Sequence, residues 1–143
     1  MCFCSTQWPK FCAAIAEGKH NDLNLQAGCI AYDAKITLTD GQLVPVQKLR
    51  VGDQVRSKVS GAICTGVVTS INAILASAVV FADGRPLCTE SQPLMMNDDW
   101  TAAETLLEPG SPYSLVAGKA VAFTLHVSPT HSFVVNGHWA HNK

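Results

Sequence analysis

Short stretches in which apolar and polar residues alternate run along most of the chain after residue 28. The alternating segment Lys35–Leu38 is followed by Asp40-Gly41 and then by a second apolar segment, Leu43–Val46. Asp-Gly or Asn-Gly pairs between such segments are strong hairpin signals, and they recur at Asp83-Gly84 and Asn136-Gly137. Many short strands joined by tight turns predict an all-β domain with a compact core.

The other predicted strands are short runs rich in β-branched and aromatic residues, which favour a pleated, half-buried surface. They are Val67–Ile74, Ala78–Phe81, Arg85–Cys88, Val121–Val127, Ser132–Val135 and His138–Ala140. One short helix is predicted over Thr101–Leu107, because Pro109-Gly110 would end it.

The first 28 residues have a different pattern. A candidate helix, Lys10–Glu17, begins after Trp8-Pro9 and ends at Gly18, and a polar linker continues to Gly28. We therefore divide the chain into a flanking segment, residues 1–28, and one domain, residues 29–143.

Composition limits the function. The chain has 143 residues, of which 48% are hydrophobic and 15% charged, and a net charge of -1. These values fit one folded domain and give no reason to expect a nucleic-acid or membrane partner. The longest apolar run, Ala73–Phe81, is too short to span a bilayer, and no signal peptide is visible. We expect a soluble, cytoplasmic monomer.

The cysteines allow more than one interpretation. Six are present, which is compatible with disulfides, but the chain is larger than the scaffolds that need them. The alternative is a reducing compartment with buried thiols and one reactive cysteine. Cys2, Cys4, Cys12 and His20 could also bind zinc, although their spacing fits no standard finger. We expect no metal and no other cofactor.

Three stretches contain the residues whose side chains could take part in a reaction. They are Gly28-Cys29 with the segment that continues to Val55, then Thr89-Glu90-Ser91-Gln92-Pro93-Leu94, and finally His131–Gly137 with the closing His141-Asn142. In this order they resemble the Hint superfamily, which comprises inteins, bacterial intein-like domains, hedgehog autoprocessing domains and the Hint modules of some toxins. The resemblance extends from Cys29 to Asn142. It implies an all-β horseshoe fold whose two ends meet at one site.

Cys29 is the candidate nucleophile. A thiolate there can attack its own preceding carbonyl through a five-membered transition state, which produces a thioester between Gly28 and the Cys29 side chain. Gly28 adds no side chain to crowd that carbonyl. The alternative is a buried structural cysteine, which is a frequent fate of free cysteine.

By the resemblance, the Thr89 hydroxyl would hydrogen-bond near the Gly28–Cys29 amide. The sequence departs from the family at Gln92, where a histidine is expected, and at Thr124, where splicing domains often have aspartate. Glutamine can donate a hydrogen bond but has no titratable proton. His131 occupies the family's second histidine position and is the candidate to assist proton transfer.

His141-Asn142 would close the reactive module. The Asn142 side-chain amide can attack its own carbonyl, forming a succinimide and releasing the polypeptide beyond it, while His141 polarises the carbonyl or assists proton transfer. Lys143 is a third departure, because splicing needs Cys, Ser or Thr there to accept the acyl group. A protonated lysine is a poor nucleophile at neutral pH.

Three hypotheses are compatible with these residues. The first is a single-turnover domain that cleaves or splices its own host polypeptide and is not a multiple-turnover enzyme. The second is an inactive β-module with a structural or interaction role. The third is hedgehog-like acyl transfer to an external nucleophile, which the Asn142 ending disfavours.

Overall fold

The computed structural model describes residues 28–142, and nearly all of the regular structure there is strand. The strands are β1 (Ile30–Ala31), β2 (Lys35–Thr37), β3 (Leu43–Pro45), β4 (Gln54–Val59), β5 (Ala62–Ala82), β6 (Arg85–Cys88), β7 (Pro93–Met96), β8 (Asp99–Ala102), β9 (Tyr113–Ser128), β10 (Ser132–Val135) and β11 (His138–His141). The prediction of an all-β fold is confirmed.

The strands form two sheets. The first has the order β4-β5-β6-β1-β9, with β5 also paired to β9, and the second has the order β3-β2-β10-β11-β7-β8. Their inner faces share one hydrophobic core, which includes Ile30, Ile36, Leu87, Leu94 and Phe133. Burial of these side chains stabilises the packing of one sheet on the other.

The long strands β5 and β9 pair along most of their length, from Val67 opposite Ser128 to Ala82 opposite Tyr113. The sequence predicted them only in pieces. Small residues such as Ala73, Ala76 and Ala78 have weak strand preference, so the apolar pattern alone could not join the pieces.

The predicted helix over Thr101–Leu107 is partly replaced by strand. Thr101 and Ala102 belong to β8, which pairs with β7, and only Ala103–Leu106 form a short 3-10 helix. The β7–β8 turn uses Asn97 and Asp98 with φ of 51° and 67°. These residue types tolerate the left-handed region, so the pairing with β7 overrides local helix preference. A second 3-10 helix spans Val46–Lys48.

Both ends of the described chain lie inside sheets. The first strand, β1, is hydrogen-bonded between β6 and β9, and the last strand, β11, lies between β10 and β7. The candidate helix Lys10–Glu17 lies outside the described residues. No helix in residues 28–142 has the length and apolar character that crossing a membrane requires.

Candidate functional site

The turn of residues 89–92 connects the two sheets, because β6 before it belongs to the first sheet and β7 after it to the second. The Gln92 N–H donates to the Thr89 carbonyl at 3.1 Å and closes this turn. The start of β1 and the end of β11 both reach it. The turn therefore brings the two ends of the domain to one place.

Thr89 holds the nitrogen of the Gly28–Cys29 peptide bond. The Cys29 N–H donates to Thr89 Oγ1 at 3.0 Å, and the Thr89 N–H donates to the Cys29 carbonyl at 2.9 Å. Both residues are buried. The hydroxyl is thus fixed beside the atom that must leave as an amine if this bond breaks.

Cys29 is disulfide-bonded in the structure. A sulfur in a disulfide cannot act as a nucleophile, so any attack on Gly28 requires prior reduction. The other described cysteines, Cys64 and Cys88, are free. Burial raises the pKa of the Cys88 thiol far above its ordinary value, so Cys88 stays protonated and unreactive.

Gln92 contacts both ends of the domain. Its side-chain Nε2 donates to the carbonyl of His141 at 2.9 Å and to that of Pro93 at 3.0 Å, and the residue is buried. Both amide protons are therefore committed to backbone carbonyls. On its other side Gln92 packs so closely against Gly28 that a Cβ on Gly28 would lie within 3.0 Å of the Gln92 Cα, Cβ and Oε1 atoms.

Asn142 is buried rather than frayed, with 7% of its surface exposed. Its side-chain Oδ1 accepts a hydrogen bond from the Val127 N–H at 2.8 Å, and its backbone N–H donates to the His131 carbonyl at 2.9 Å. The side-chain Nδ2 lies 3.3 Å from His131 Nδ1. The structure thus places His131 at Asn142, on the C-terminal side of the site.

His141 lies between aromatic neighbours. Its ring centroid is 4.9 Å from that of Trp100 and 6.5 Å from that of His131. A surface cleft of about 410 Å³ borders it, lined also by Lys58, Asp98 and Trp139. The cleft is therefore next to the His141-Asn142 end of the site.

Thr124 contains a polar atom without a partner. Among the buried side-chain oxygen and nitrogen atoms of residues 28–142, its Oγ1 is the one that makes no hydrogen bond. Thr124 pairs with Asn72 across β5–β9, and Ile30, the residue after Cys29, pairs with Phe123, the residue before Thr124. Residues opposite each other in a sheet point to the same face, so the buried side chains of Asn72 and Thr124 lie side by side.

Sequence reasoning missed Asn72, the Val127 N–H and the serine at position 57. A backbone donor leaves no side-chain signal. Ser57 had a weak one, because it follows Val55 on the inward face of β4, where an apolar residue would be expected.

The described residues 28–142 contain no group of three His, Cys, Asp or Glu side chains that could hold a metal ion. The zinc hypothesis for Cys2, Cys4 and Cys12 concerns residues outside this range, and Lys143 also lies outside it.

Comparison with models of known protein families gives no match, and comparison with curated proteins gives none either. Solved structures do match. A bacterial intein-like domain from Clostridium thermocellum superposes with a TM-score of 0.67 and 15% identity, covering 80% of this chain and 98% of its own.

Two inteins superpose on this chain with similar TM-scores. A DnaB intein from Synechocystis gives a TM-score of 0.62 at 20% identity, over 81% of this chain and 99% of that one. A variant of the Ssp DnaB mini-intein gives 0.65 at 18% identity, over 82% and 95%. The chain therefore has the Hint fold of inteins and intein-like domains, as the sequence resemblance implied.

Proposed function

We propose that this chain is a self-processing Hint domain that cleaves its own host polypeptide at the Gly28–Cys29 bond and after Asn142. The observation that carries the proposal is the convergence of both ends on Gln92, which packs against Gly28 and hydrogen-bonds the His141 carbonyl. Two cleavable bonds brought to one buried turn are what a domain acting on its own backbone requires.

The N-terminal step begins once Cys29 is reduced. The thiolate attacks the Gly28 carbonyl carbon, a C–S bond forms, and the bond to the Cys29 nitrogen breaks with its electron pair staying on nitrogen. That nitrogen must gain a proton to leave as an amine. Thr89 Oγ1 is 3.0 Å from it and, as a hydroxyl, can both accept and donate a hydrogen bond. We assign Thr89 the task of orienting this nitrogen.

The role of Gln92 differs from that of the histidine it replaces. Its two N–H groups are committed to the Pro93 and His141 carbonyls, and it has no titratable proton. We therefore propose that Gln92 holds the two ends of the domain together and does not deliver a proton. An N-terminal step without that histidine would be slow, since general acid–base assistance contributes about 10²–10⁴-fold.

The C-terminal step uses Asn142. Its Nδ2 gives up a proton and attacks the Asn142 carbonyl carbon. The bond from that carbon to the nitrogen of the next residue breaks, this leaving nitrogen takes up a proton to become an amine, and a succinimide remains. His131 Nδ1, at 3.3 Å, is placed to accept the Nδ2 proton when it is the unprotonated ring nitrogen. The Val127 N–H bond to Oδ1 stabilises the negative charge that the amide develops. His141 would act on the carbonyl itself.

Cleavage, rather than splicing, is the outcome we propose for the sequence as it stands, because Lys143 is a poor acyl acceptor at neutral pH. The partner is the host polypeptide on either side of the domain, and no cofactor enters the chemistry. Each chain reacts once.

The test is a fusion with one reporter protein before residue 1 and another after Lys143, kept with a reductant and a small thiol. We expect Cys29→Ala to abolish N-terminal release alone and Asn142→Ala to abolish C-terminal release alone. Release that persists in these variants would indicate a contaminating protease. A wild-type fusion that stays intact for days would favour the inactive-module hypothesis.

A further inference from the structure

A cluster of hydroxyl groups, which we call the hydroxyl cluster, joins β4 to Thr130 and to the start of β10. It consists of Ser57, Thr130 and Ser132. Ser57 Oγ bonds to Thr130 Oγ1, and it lies 2.8 Å from both the Ser132 carbonyl and Ser132 Oγ. Ser132 Oγ also donates to the Lys58 carbonyl at 2.9 Å and accepts from the Lys58 N–H at 3.0 Å. Ser57, at the centre, is fully buried.

Strand β5 closes the hydroxyl cluster from the other side. A Cβ on Gly66 would lie within 3.0 Å of Thr130 Oγ1 and Val127 Cγ1. Glycine at this position allows the β5 backbone to approach the cluster directly. The surface cleft beside His141 also borders the cluster at Thr130 and Ser132, whereas Ser57 is fully buried. Loss of the Ser57 hydroxyl would remove its hydrogen bonds to both of these residues.

The segment that the cluster fixes contains His131, whose two chain neighbours are both cluster members. His131 has φ of 60°, a left-handed conformation that is uncommon for residues other than glycine and persists when the surroundings enforce it. Its N–H donates to the Val127 carbonyl at 3.0 Å. Its ring faces the Asn142 amide, so the conformation enforced here sets the distance between His131 Nδ1 and Asn142 Nδ2.

We infer that Ser57 is a positioning residue for the Asn142 reaction, holding His131 in its left-handed conformation through Thr130 and Ser132. The inference rests on the proposed function, because it concerns the C-terminal step of that reaction. Ser57 touches no reacting atom. Ser57 should affect only the C-terminal step. Cys29 and Thr89 are held by other contacts, because β1 pairs with β6 and the Cys29 N–H donates to Thr89 Oγ1.

The test compares both ends in the two-reporter fusion. Ser57→Ala should slow C-terminal release about 10–100-fold, the scale of loss expected from misplacing a catalytic group by about 1 Å. N-terminal cleavage should change less than twofold. Ser57→Cys keeps the shape of the side chain with a larger terminal atom and supplies only a weak donor, so it should also be slow. Thr69→Ala removes a hydroxyl bonded to the His126 carbonyl on the same sheet and should leave both ends unchanged.

A spectroscopic measurement separates this inference from the proposed function. In the ¹⁵N-labelled domain, Ser57→Ala should shift the His131 ring and Asn142 side-chain amide signals, while Thr69→Ala should not. These shifts support the positioning role even if the wild-type fusion releases nothing, a result that would contradict only the proposed function. Equal slowing of both ends, or unshifted His131 and Asn142 signals in Ser57→Ala, would overturn the inference.

Discussion

Replacing Gln92 by histidine introduces the residue type that the family resemblance leads us to expect. It tests how much the missing histidine limits the rate of N-terminal cleavage. Gln92 lies against Gly28, next to the bond that the proposed N-terminal step would break. An imidazole at this position can supply the proton that the leaving nitrogen needs, and glutamine cannot. We expect Gln92→His to accelerate N-terminal cleavage, by at most about 10²–10⁴-fold.

The same substitution should cost stability. Gln92 Nε2 donates to two backbone carbonyls, those of Pro93 and His141. A neutral imidazole has one N–H, so at least one of these carbonyls loses its donor, at a cost of about 1–3 kcal/mol for a buried group. For a domain of this size, each 1 kcal/mol lowers the melting temperature by roughly 4 °C. The variant should therefore be faster but less stable.

The assay is N-terminal release from a reporter fusion at fixed thiol concentration and pH, together with thermal melting of the domain. Ser91→His provides the control, since it places a histidine in the same turn one residue away. A Gln92→His variant that matches the wild type in both cleavage rate and melting temperature would refute the reasoning. Equal acceleration by Ser91→His would show that the position of the imidazole is unimportant.

Three further predictions concern single contacts at the site. His131→Ala should slow release after Asn142 by up to about 10²–10⁴-fold while N-terminal cleavage continues, and equal slowing at both ends in the reporter assay would argue against its placement. Gly28→Ala should overpack the contact with Gln92, lowering stability by about 1–3 kcal/mol and slowing N-terminal cleavage; an unchanged melting temperature would contradict this. Thr124→Val removes a buried hydroxyl without a partner and should raise stability by about 1 kcal/mol in denaturant unfolding, whereas a loss would show that the hydroxyl is satisfied.

Most of the fold could be predicted from the sequence because turn-forming residue pairs fall between segments in which apolar and polar residues alternate. Arg85–Cys88 and Ser132–Val135 were predicted with their observed bounds, each beside a turn whose two residues have positive φ. The β7–β8 hairpin was missed because its turn, Asn97-Asp98, contains no glycine. The full length of β5 was missed because its pairing with β9 joins segments of weak local preference.

The site was accessible only in part. Residue types and order pointed to Cys29, Gln92 and Asn142, but the sequence contains no information on which atoms share a hydrogen bond. His131 was expected to assist at Cys29, and the structure sets its ring against the Asn142 side chain, a contact that depends on the packing of residues 128–132. That assignment to one step remains a prediction until the two ends are measured separately.

Capture of the acyl group tests the central claim most directly. The reduced two-reporter fusion is treated with hydroxylamine at neutral pH, and the released N-terminal fragment is weighed by mass spectrometry. We predict a fragment that ends at Gly28 as the hydroxamate, formed by the wild type and not by Cys29→Ala. Absence of this product from folded, reduced protein, or a fragment ending at any other residue, would contradict thioester chemistry at Cys29.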